Sequence, residues 1–435
     1  MRTEPPSTQD RLPDRDRTPP DATAQPLAGL TVLDLSRMLS GPYLTMVLAD
    51  LGADVVKVEP PFGDMIRDQG PYAPEDEVRA YGGYFQSVNR TKRGIVVDLT
   101  RPQGAEVIRR LAAGADVLVE NYRPGVMERA GLAYETLAAL NPRLVYTALR
   151  GFGDPRTGAS PLQHWPSFDI VAQAMGGLLG ITGPAGGPPV KAGPGLGDIL
   201  PGLFGAVGTL AALHERESTG RGRFVDVGMY DAVVAACERI VYQHAYTGAV
   251  PGPQGNTHPM LCPYGVFPAR DGHVALAAAP ADHHWRLLCE AMGRPELGTD
   301  ERYATNERRC ARQTEVIGIV GEWTGRHTRA ELTALLGGKV PYGPVNTADA
   351  LFEDAHLKAR GMLRQVEQPG LDRPVTVAAG PIRYGGGTPR APHRAPLLGE
   401  HTDDVLRLAG YTDAEIAALR EAGAIAGPTG AAPQG

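Results

Sequence analysis

The chain has 435 residues, enough to bury a large core and, at ordinary domain sizes, to form about two domains. Its formal net charge of −6 argues against a general affinity for nucleic acid, because phosphate backbones require basic surface. The four cysteines, Cys237, Cys262, Cys289 and Cys310, show no paired spacing. We therefore expect neither a disulfide framework nor a metal site, and we expect a reducing, cytoplasmic environment.

Both ends of the chain are predicted to be disordered. Residues 1–27 are rich in Pro, Asp and Arg and have no apolar core, which indicates a disordered leader rather than a secretory signal. Residues 426–435 end in Gly-Pro-Thr-Gly-Ala-Ala-Pro-Gln-Gly and are predicted to be a disordered tail. No segment shows the unbroken apolar length of a membrane span, so no membrane partner is expected.

Between these ends, short apolar strands alternate with segments of helical spacing. Strands are predicted at Leu30–Leu35, Asp54–Val58, Gly94–Leu99, Asp116–Val119, Arg143–Leu149 and Arg223–Val227. Helices are predicted at Pro42–Leu51, Gln103–Ala113, Tyr134–Leu140 and Met229–Tyr246, with further helices between Phe168 and His214. This alternation is typical of α/β proteins with a mostly parallel, Rossmann-like sheet. We expect it to form a large domain whose first part covers 28–250.

The pattern changes after the loop Pro251–Pro259. Tyr264–Ala279 predicts a β-hairpin that turns at Asp271-Gly272. Asp282–Met292 and Gln313–Thr324 have the spacing of amphipathic helices. A smaller α+β domain is therefore predicted over 251–325, followed by a return to the large domain over 326–425.

The first strand, helix and strand resemble half of a dinucleotide-binding fold. The turn Ser36–Pro42 has one glycine, whereas the GxGxxG fingerprint has three. Without that close backbone approach to a pyrophosphate, NAD is not expected as a cofactor.

Four stretches resemble the class III CoA-transferases, the group related to formyl-CoA and carnitine CoA-transferases. They are Leu33–Asp64, Asn89–Leu99, Val119–Leu132 and Arg150–Asp198, within a similarity that extends over roughly 27–419. The runs Arg150–Gly158 and Trp165–Asp169 are most similar to the branch that acts on mesaconyl- and citramalyl-type dicarboxylic acyl-CoAs. The resemblance implies CoA transfer between small carboxylic acids by a homodimer of interlocked rings.

The resemblance also implies contacts to CoA, which enters as the acyl-CoA substrate. The positions concerned are Leu39, Ser40, Lys92, Asn121, Tyr122, Arg129 and Arg150. Taken singly, each basic residue would be a solvated surface charge. A dicarboxylic acyl group also needs a cationic partner, for which Arg37, Arg67 and Arg150 are candidates because guanidinium binds carboxylate bidentately.

The family's chemistry uses an enzyme carboxylate that attacks the acyl-CoA. In relatives this aspartate commonly precedes the Gly-Pro-Pro of a loop that here reads Pro184-Ala185-Gly186-Gly187-Pro188-Pro189, without a carboxylate. We assign the catalytic role to Asp169, because racemases of the same superfamily use an aspartate at the matching position.

Other readings of the acidic residues stay open. At a helix start Asp169 could be an N-cap, and Asp198 is interpreted as the cap of the following helix. Glu59, Asp64 and Glu120 are reserve candidates for the nucleophile. The loop Pro251–Asn256 stands where relatives carry a glycine-rich loop that stabilises oxyanions, although an ordinary surface turn explains it equally well.

The unusual loop at 184–189 keeps two alternatives to transfer open. One is a non-transferase acyl-CoA enzyme, namely a hydrolase, lyase or isomerase. The other is a catalytically silent CoA-binding protein on the same scaffold. Simple racemisation is disfavoured because it requires two bases, and no histidine precedes His164.

Overall fold

The computed structural model describes residues 25–279, 281–385 and 390–428. Most of the predicted leader and tail lies outside these ranges, so their disorder stays a prediction.

Twelve strands are present in the described residues. They are β1 (Thr31–Asp34), β2 (Asp54–Glu59), β3 (Arg93–Val97), β4 (Val117–Glu120), β5 (Val145–Arg150), β6 (Phe224–Gly228), β7 (Tyr264–Ala269), β8 (Gly272–Ala277), β9 (Tyr342–Pro344), β10 (Leu363–Val366), β11 (Val375–Ala378) and β12 (Ile425–Ala426). All six strands predicted before residue 230 form, with their bounds shifted by one or two residues.

The same ranges contain eighteen α-helices. They are α1 (Ser40–Asp50), α2 (Gly83–Asn89), α3 (Pro102–Gly114), α4 (Val126–Arg129), α5 (Tyr134–Leu140), α6 (Asp169–Met175), α7 (Leu196–Thr219), α8 (Met229–Ala236), α9 (Glu238–Thr247), α10 (Asp282–Ala291), α11 (Pro295–Thr299), α12 (Asn306–Ala311), α13 (Gln313–Thr324), α14 (Arg329–Leu336), α15 (Ala348–Glu353), α16 (Ala355–Ala359), α17 (Thr402–Leu408) and α18 (Asp413–Glu421). The single helix predicted over Met229–Tyr246 is wrong: the chain leaves helical geometry at Cys237 (φ −92°, ψ 28°) and forms α8 and α9.

The large sheet has seven strands in the order β12-β3-β2-β1-β4-β5-β6. All neighbours are parallel except β12, which pairs antiparallel with β3 at one edge. Alternate side chains of the central strands enter two separate cores, so that Leu33 and Val32 of β1 pack on opposite faces. Burial of both faces explains why these strands are continuously apolar in the sequence. The predicted α/β, Rossmann-like sheet is confirmed.

The strand order reverses at β1. The chain runs outward through β2 and β3, then returns to place β4 on the other side of β1. In open parallel sheets a ligand crevice lies at such a point, outside the carboxyl ends of the two central strands. The residues after Asp34 and Glu120 therefore line the expected crevice.

Helix α7 is the long central helix predicted from the glycine-interrupted apolar region. By length and composition it could cross a membrane, so the prediction that no segment has such a length is wrong. Within the fold it packs against α1, α8, β5 and β6. Its glycines permit this close packing, since a Cβ at Gly205 would lie 2.6 Å from Leu44 and 3.0 Å from Leu149.

A second core lies in the sheet of β7, β8 and β9 and helices α10 to α14. The predicted hairpin and both predicted helices of this region form. The core continues through Leu332, Leu336 and Val340, and β9 pairs with β8. If domains are divided by packing, this unit extends past the predicted boundary at 325 to about residue 345.

Candidate active site

The loops that follow β1 and β4 are joined at the crevice by Asn121. Its Oδ1 accepts a hydrogen bond from the Arg37 N–H (2.9 Å), and its Nδ2 donates to the Arg37 carbonyl (2.7 Å). Nδ2 also lies 3.4 Å from Oγ of Ser40. Four predicted CoA contacts, Leu39, Ser40, Asn121 and Tyr122, are therefore brought to the same place.

Tyr122 is held by groups that the sequence did not reveal. Its carbonyl accepts a hydrogen bond from Nη1 of Arg150 (2.6 Å), and its N–H donates to Oε2 of Glu120 (2.8 Å). Arg150 is buried and also pairs with Glu120 (2.7 Å) and Asp154 (2.8 Å). The guanidinium of Arg37 lies over the Tyr122 ring, 5.1 Å from its centroid. Arg150 thus positions the Tyr122 loop and offers no free guanidinium at the crevice.

Lys92, another predicted CoA contact, lies beneath the crevice. Its side chain is fully buried, and Nζ donates to Oδ2 of Asp34, to the Pro42 carbonyl and to Oδ1 of Asn89, each at 2.9 Å. Burial lowers the pKa of Lys92 to about 8, and the neighbouring Asp34 opposes this shift. All three donor positions of the ammonium are occupied, so in this geometry Lys92 supports α1 from below.

A second buried pair fixes the turn that contains Leu39. Nζ of Lys57 donates to the Ser36 carbonyl and to Oδ2 of Asp64, both at 3.0 Å. Both oxygens of Asp64 accept from the Met38 N–H at 3.2 Å. Met38 has a φ of +66°, an unfavourable conformation for a residue with a side chain. The Lys57–Asp64 pair therefore holds a strained residue at the mouth of the crevice.

The remaining predicted basic residues differ in availability. Arg67 is buried on the ring of Phe85 (3.9 Å) and pairs with Glu59 at 2.6 Å, so its charge is used internally. Arg129 is exposed at the end of α4, in the segment that follows β4. In the described ranges Arg37 takes part in no ion pair. Arg37 is therefore the best placed of the three arginines proposed to bind a carboxylate.

Asp169 is the first residue of α6 and lies against the N-terminus of α7. Its Oδ1 accepts a hydrogen bond from the Gly197 N–H at 2.8 Å. Nε2 of Gln173 lies 2.9 Å from both carboxylate oxygens, and Nζ of Lys191 lies 3.9 Å from Oδ2. Three donors and a helix N-terminus favour the ionised carboxylate. The expected capping role is thus real but belongs to the helix that follows, not to α6.

The carboxylate lies beside the predicted CoA loop. A Cβ at Gly195 would lie 2.9 Å from Cδ2 of Leu39 and 3.6 Å from Oδ1 of Asp169. A neighbouring cavity of about 510 Å³ has a largely apolar wall. Its lining includes Leu39, Tyr43, Tyr84, Ile199 and Leu203. A carboxylate nucleophile, the CoA loop and an enclosed apolar space are therefore adjacent.

Asp198 is not the cap of α7. The N-cap is Gly195, and no side chain caps this end. The described residues give the Asp198 carboxyl no hydrogen bond or ion pair. Burial raises its pKa to about 7, and the nearby Asp169 adds to the shift. Burial, Asp198 and other acids also raise the pKa of Tyr84 to about 12.

The loop at 184–189 meets the predicted glycine-loop counterpart. The Gly255 N–H donates to the Gly183 carbonyl (2.9 Å), and the Gly186 N–H donates to the Pro253 carbonyl (3.4 Å). Gly186, the residue before Gly187-Pro188-Pro189, has a φ of +67°, and a Cβ there would meet nothing within 4 Å. The segment Pro251–Asn256 is thus packed on the loop that carries the nucleophile in relatives.

The reserve carboxylates are committed elsewhere. Glu59, Asp64 and Glu120 are buried and bound to Arg67, Lys57 and Arg150. Gln173, Lys191 and Gly197 were not predicted as site residues. Of these, Gln173 carries a sequence signal, since it lies four residues after Asp169 on one helix face. In the described part of the chain no group of His, Cys, Asp or Glu has the arrangement of a metal site.

Comparisons with known proteins agree with this arrangement. The family model of CoA-transferase family III matches residues 27–402. The chain is similar to succinyl-CoA:mesaconate CoA-transferase of Haloarcula hispanica, with 50% identity over 385 residues that cover 88% of this chain and 96% of that protein. It is also 35% identical, over 406 residues, to succinyl-CoA–D-citramalate CoA-transferase of Chloroflexus aurantiacus, covering 91% of this chain and 97% of that protein.

A solved structure supports the same grouping. A CAIB/BAIF family protein from Brucella suis superposes with a TM-score of 0.78 and 35% sequence identity, covering 89% of this chain and 100% of that chain. The resemblance found in the sequence motifs is therefore confirmed. The chain belongs to CoA-transferase family III.

Proposed function

We propose that this protein transfers CoA from an acyl-CoA to a small dicarboxylic acid, with Asp169 as the nucleophile. The observation that carries the proposal is the Asp169 carboxylate, fixed by Gly197 and Gln173 at the edge of the Leu39 loop. Membership of CoA-transferase family III and two CoA-transferases among its relatives support the type of reaction.

The first half-reaction loads CoA onto the enzyme. One Asp169 oxygen attacks the thioester carbonyl, the C–S bond breaks, and the electron pair leaves with the CoA thiolate. This gives a mixed anhydride between Asp169 and the acyl group. The thiolate then attacks the Cγ carbonyl of Asp169, the C–O bond of the anhydride breaks, and the donor acid leaves as its carboxylate. Asp169 now carries CoA as a thioester.

The second half-reaction repeats these steps in reverse. The acceptor carboxylate attacks Cγ of the Asp169 thioester and releases the thiolate, forming a new anhydride. The thiolate attacks the acceptor's carbonyl carbon and regenerates the Asp169 carboxylate. No net proton is consumed, so the site needs oxyanion stabilisation rather than an acid and a base. Backbone N–H groups of the contacting loops 183–187 and 251–256 are the nearest candidates.

CoA is proposed to lie along the crevice between the β1 and β4 loops. Leu39, Ser40, Asn121 and Tyr122 line it directly, and Arg129 is exposed beyond it. Lys92 and Arg150 are buried and would act by holding these loops. This division of roles follows from burial, because a CoA phosphate can only be reached by an exposed or mobile cation.

A dicarboxylic substrate is supported by the charge at the site. The two relatives named above act on mesaconate and D-citramalate according to their names. Lys191 is about half exposed, and besides the 3.9 Å approach to Asp169 its Nζ donates only to the carbonyls of Ala192 and Gly193. It can therefore turn to the second carboxylate of a dicarboxylic acid without breaking a buried ion pair.

The absence of a carboxylate at 184–189 keeps one competing proposal, an acyl-CoA enzyme or CoA-binding protein that does not transfer. The decisive experiment compares wild type, Asp169→Asn and the double variant Asp169→Asn/Gly186→Asp with succinyl-CoA and mesaconate. Gly186 has open space for a side chain, and aspartate tolerates its left-handed backbone. Loss of transfer in the first variant supports Asp169. Full transfer by Asp169→Asn refutes the assignment, and restored transfer in the double variant shows that the scaffold still performs this chemistry.

We also propose a cytoplasmic homodimer with interlocked subunits, without metal, NAD, nucleic acid or membrane as partners. The dimer rests on the family resemblance alone. The division into a large and a small domain is likewise proposed from the two separate cores.

A further inference from the structure

Asp169 and Asp198 lie next to each other but have opposite surroundings. Asp169 receives the Gly197 N–H, the Gln173 amide and the Lys191 ammonium. Asp198 is the next residue after Gly197, yet its carboxyl has no such partner among the described residues. The donors at this helix end are all directed to one member of the pair.

The elements packed around Asp198 supply no compensating cation. From α6 it faces Asp169, and from α2 it faces the phenol of Tyr84. From α1, Tyr43 packs against Gly202, one turn further along α7. Helix α8 meets this part of α7 through the apolar cluster that contains Leu200, Met229 and Val233. Lys191 approaches Asp169 and not Asp198.

We propose that Asp169 and Asp198 share a single proton at neutral pH, so that Asp198 is the neutral positioning partner of an ionised Asp169. This inference deepens the proposed function and rests on it. Two carboxylates in contact cannot both ionise cheaply, and the one with donors keeps its charge. The raised pKa of Asp198, about 7, agrees with the geometry.

The proton on Asp198 matters because every state of the proposed reaction carries negative charge at Asp169. The approaching acid brings one carboxylate and the departing CoA brings a thiolate. An ionised Asp198 would add another charge next to them in a site that excludes water. Since transfer consumes no net proton, Asp198 can stay neutral through the whole cycle. Loss of its proton should then hinder entry of the acceptor acid.

Two measurements test this inference. The first follows kcat/KM for the acceptor acid with wild type and Asp198→Asn, between about pH 5.5 and 8.5, which brackets the titration expected for Asp198. Wild type should lose activity above pH 7, approaching a tenfold fall per pH unit, mainly through KM. Asp198→Asn should be flat across this range. An equal alkaline fall in both proteins would overturn the inference.

The second measurement needs neither turnover nor substrate. Infrared difference spectra recorded on the full-length enzyme during a pH titration should show a protonated carboxyl band that disappears near pH 7. That band should be missing from Asp198→Asn, whereas Asp198→Glu should keep it at a shifted pH. Its absence from wild type would overturn the shared proton. A protein that shows the band but never transfers CoA would instead refute the proposed function.

Discussion

The backbone N–H of Gly197 donates a 2.8 Å hydrogen bond to Oδ1 of Asp169. This bond directs the N-terminus of the 24-residue helix α7 at the carboxylate proposed as the nucleophile. A helix N-terminus favours a negative charge, and a fixed N–H fixes one oxygen while leaving the other near Lys191. The contact therefore both orients and stabilises the reacting group.

Gly197→Ala should lower transfer strongly without removing any charged group. A Cβ at this position would lie 2.3 Å from the Asp169 carbonyl oxygen and 3.0 Å from its Cα, so that Asp169 has to move. A shift of about 1 Å in a reacting group can cost on the order of 10²-fold in rate. The measurement is kcat for CoA transfer from succinyl-CoA.

Gly193→Ala is the matched control for this variant. It lies in the same loop, and a Cβ there would meet nothing within 4 Å. Activity close to wild type is expected. Equal losses in the two variants would show that loop flexibility, and not the position of Asp169, is responsible.

Lys57→Met should destabilise the fold. Both Lys57 and Asp64 have fully buried side chains, so the substitution leaves an uncompensated buried carboxylate. Breaking such a pair typically costs about 3–5 kcal/mol. Urea unfolding measures the loss. The control is Lys358→Met, whose exposed pair with Glu353 should contribute about 0–1 kcal/mol. Similar effects of the two substitutions would contradict the clamp described for Met38.

Lys191→Met should change substrate choice more than rate. If Lys191 binds the second carboxylate, KM for mesaconate or succinate should rise about tenfold, equivalent to about 1.4 kcal/mol. A monocarboxylic acceptor, assayed in parallel, should be unaffected. Lys191→Arg should retain part of the preference. Parallel losses for both acid types would indicate that Lys191 acts on Asp169 instead.

The stability of the protein should depend on pH through Asp198. Its pKa rises from 3.8 to about 7 on folding, so between these values the folded protein retains a proton that the unfolded chain has lost. Stability contributed by this group therefore falls as the pH rises from about 4 to about 7. Asp198→Asn should gain stability relative to wild type across that window and reach a plateau above it. A difference between the proteins that is independent of pH would exclude this linkage.

The sequence predicted the sheet well because its strands are buried on both faces. Strands such as β2 and β4 are continuous apolar runs, which a helix or an exposed strand would not be. The prediction of Lys92 as a direct CoA contact rested on a basic cluster in Asn89–Arg93. The structure buries that ammonium under α1, and burial depends on tertiary packing that a local cluster cannot reveal.

The site was predictable in its residues but not in its contacts. Asp169 was identified through the family motif, whereas its partner Gly197 lies 28 residues later. Nothing in the spacing links them, since α6 ends and a long loop intervenes before α7. Asp198 was interpreted as a cap because acids are common in first turns. The cap hydrogen bond comes from Gly197 to Asp169 instead, which leaves Asp198 without a donor.

The central claim is that Asp169 carries the covalent intermediate. Intact-protein mass spectrometry after incubation with succinyl-CoA, followed by hydroxylamine trapping and peptide mapping, tests it most directly. We expect a CoA or hydroxamate adduct on the peptide that contains Asp169, and none in Asp169→Asn. An adduct on another carboxylate, or turnover of the acyl-CoA without any adduct, would contradict the claim.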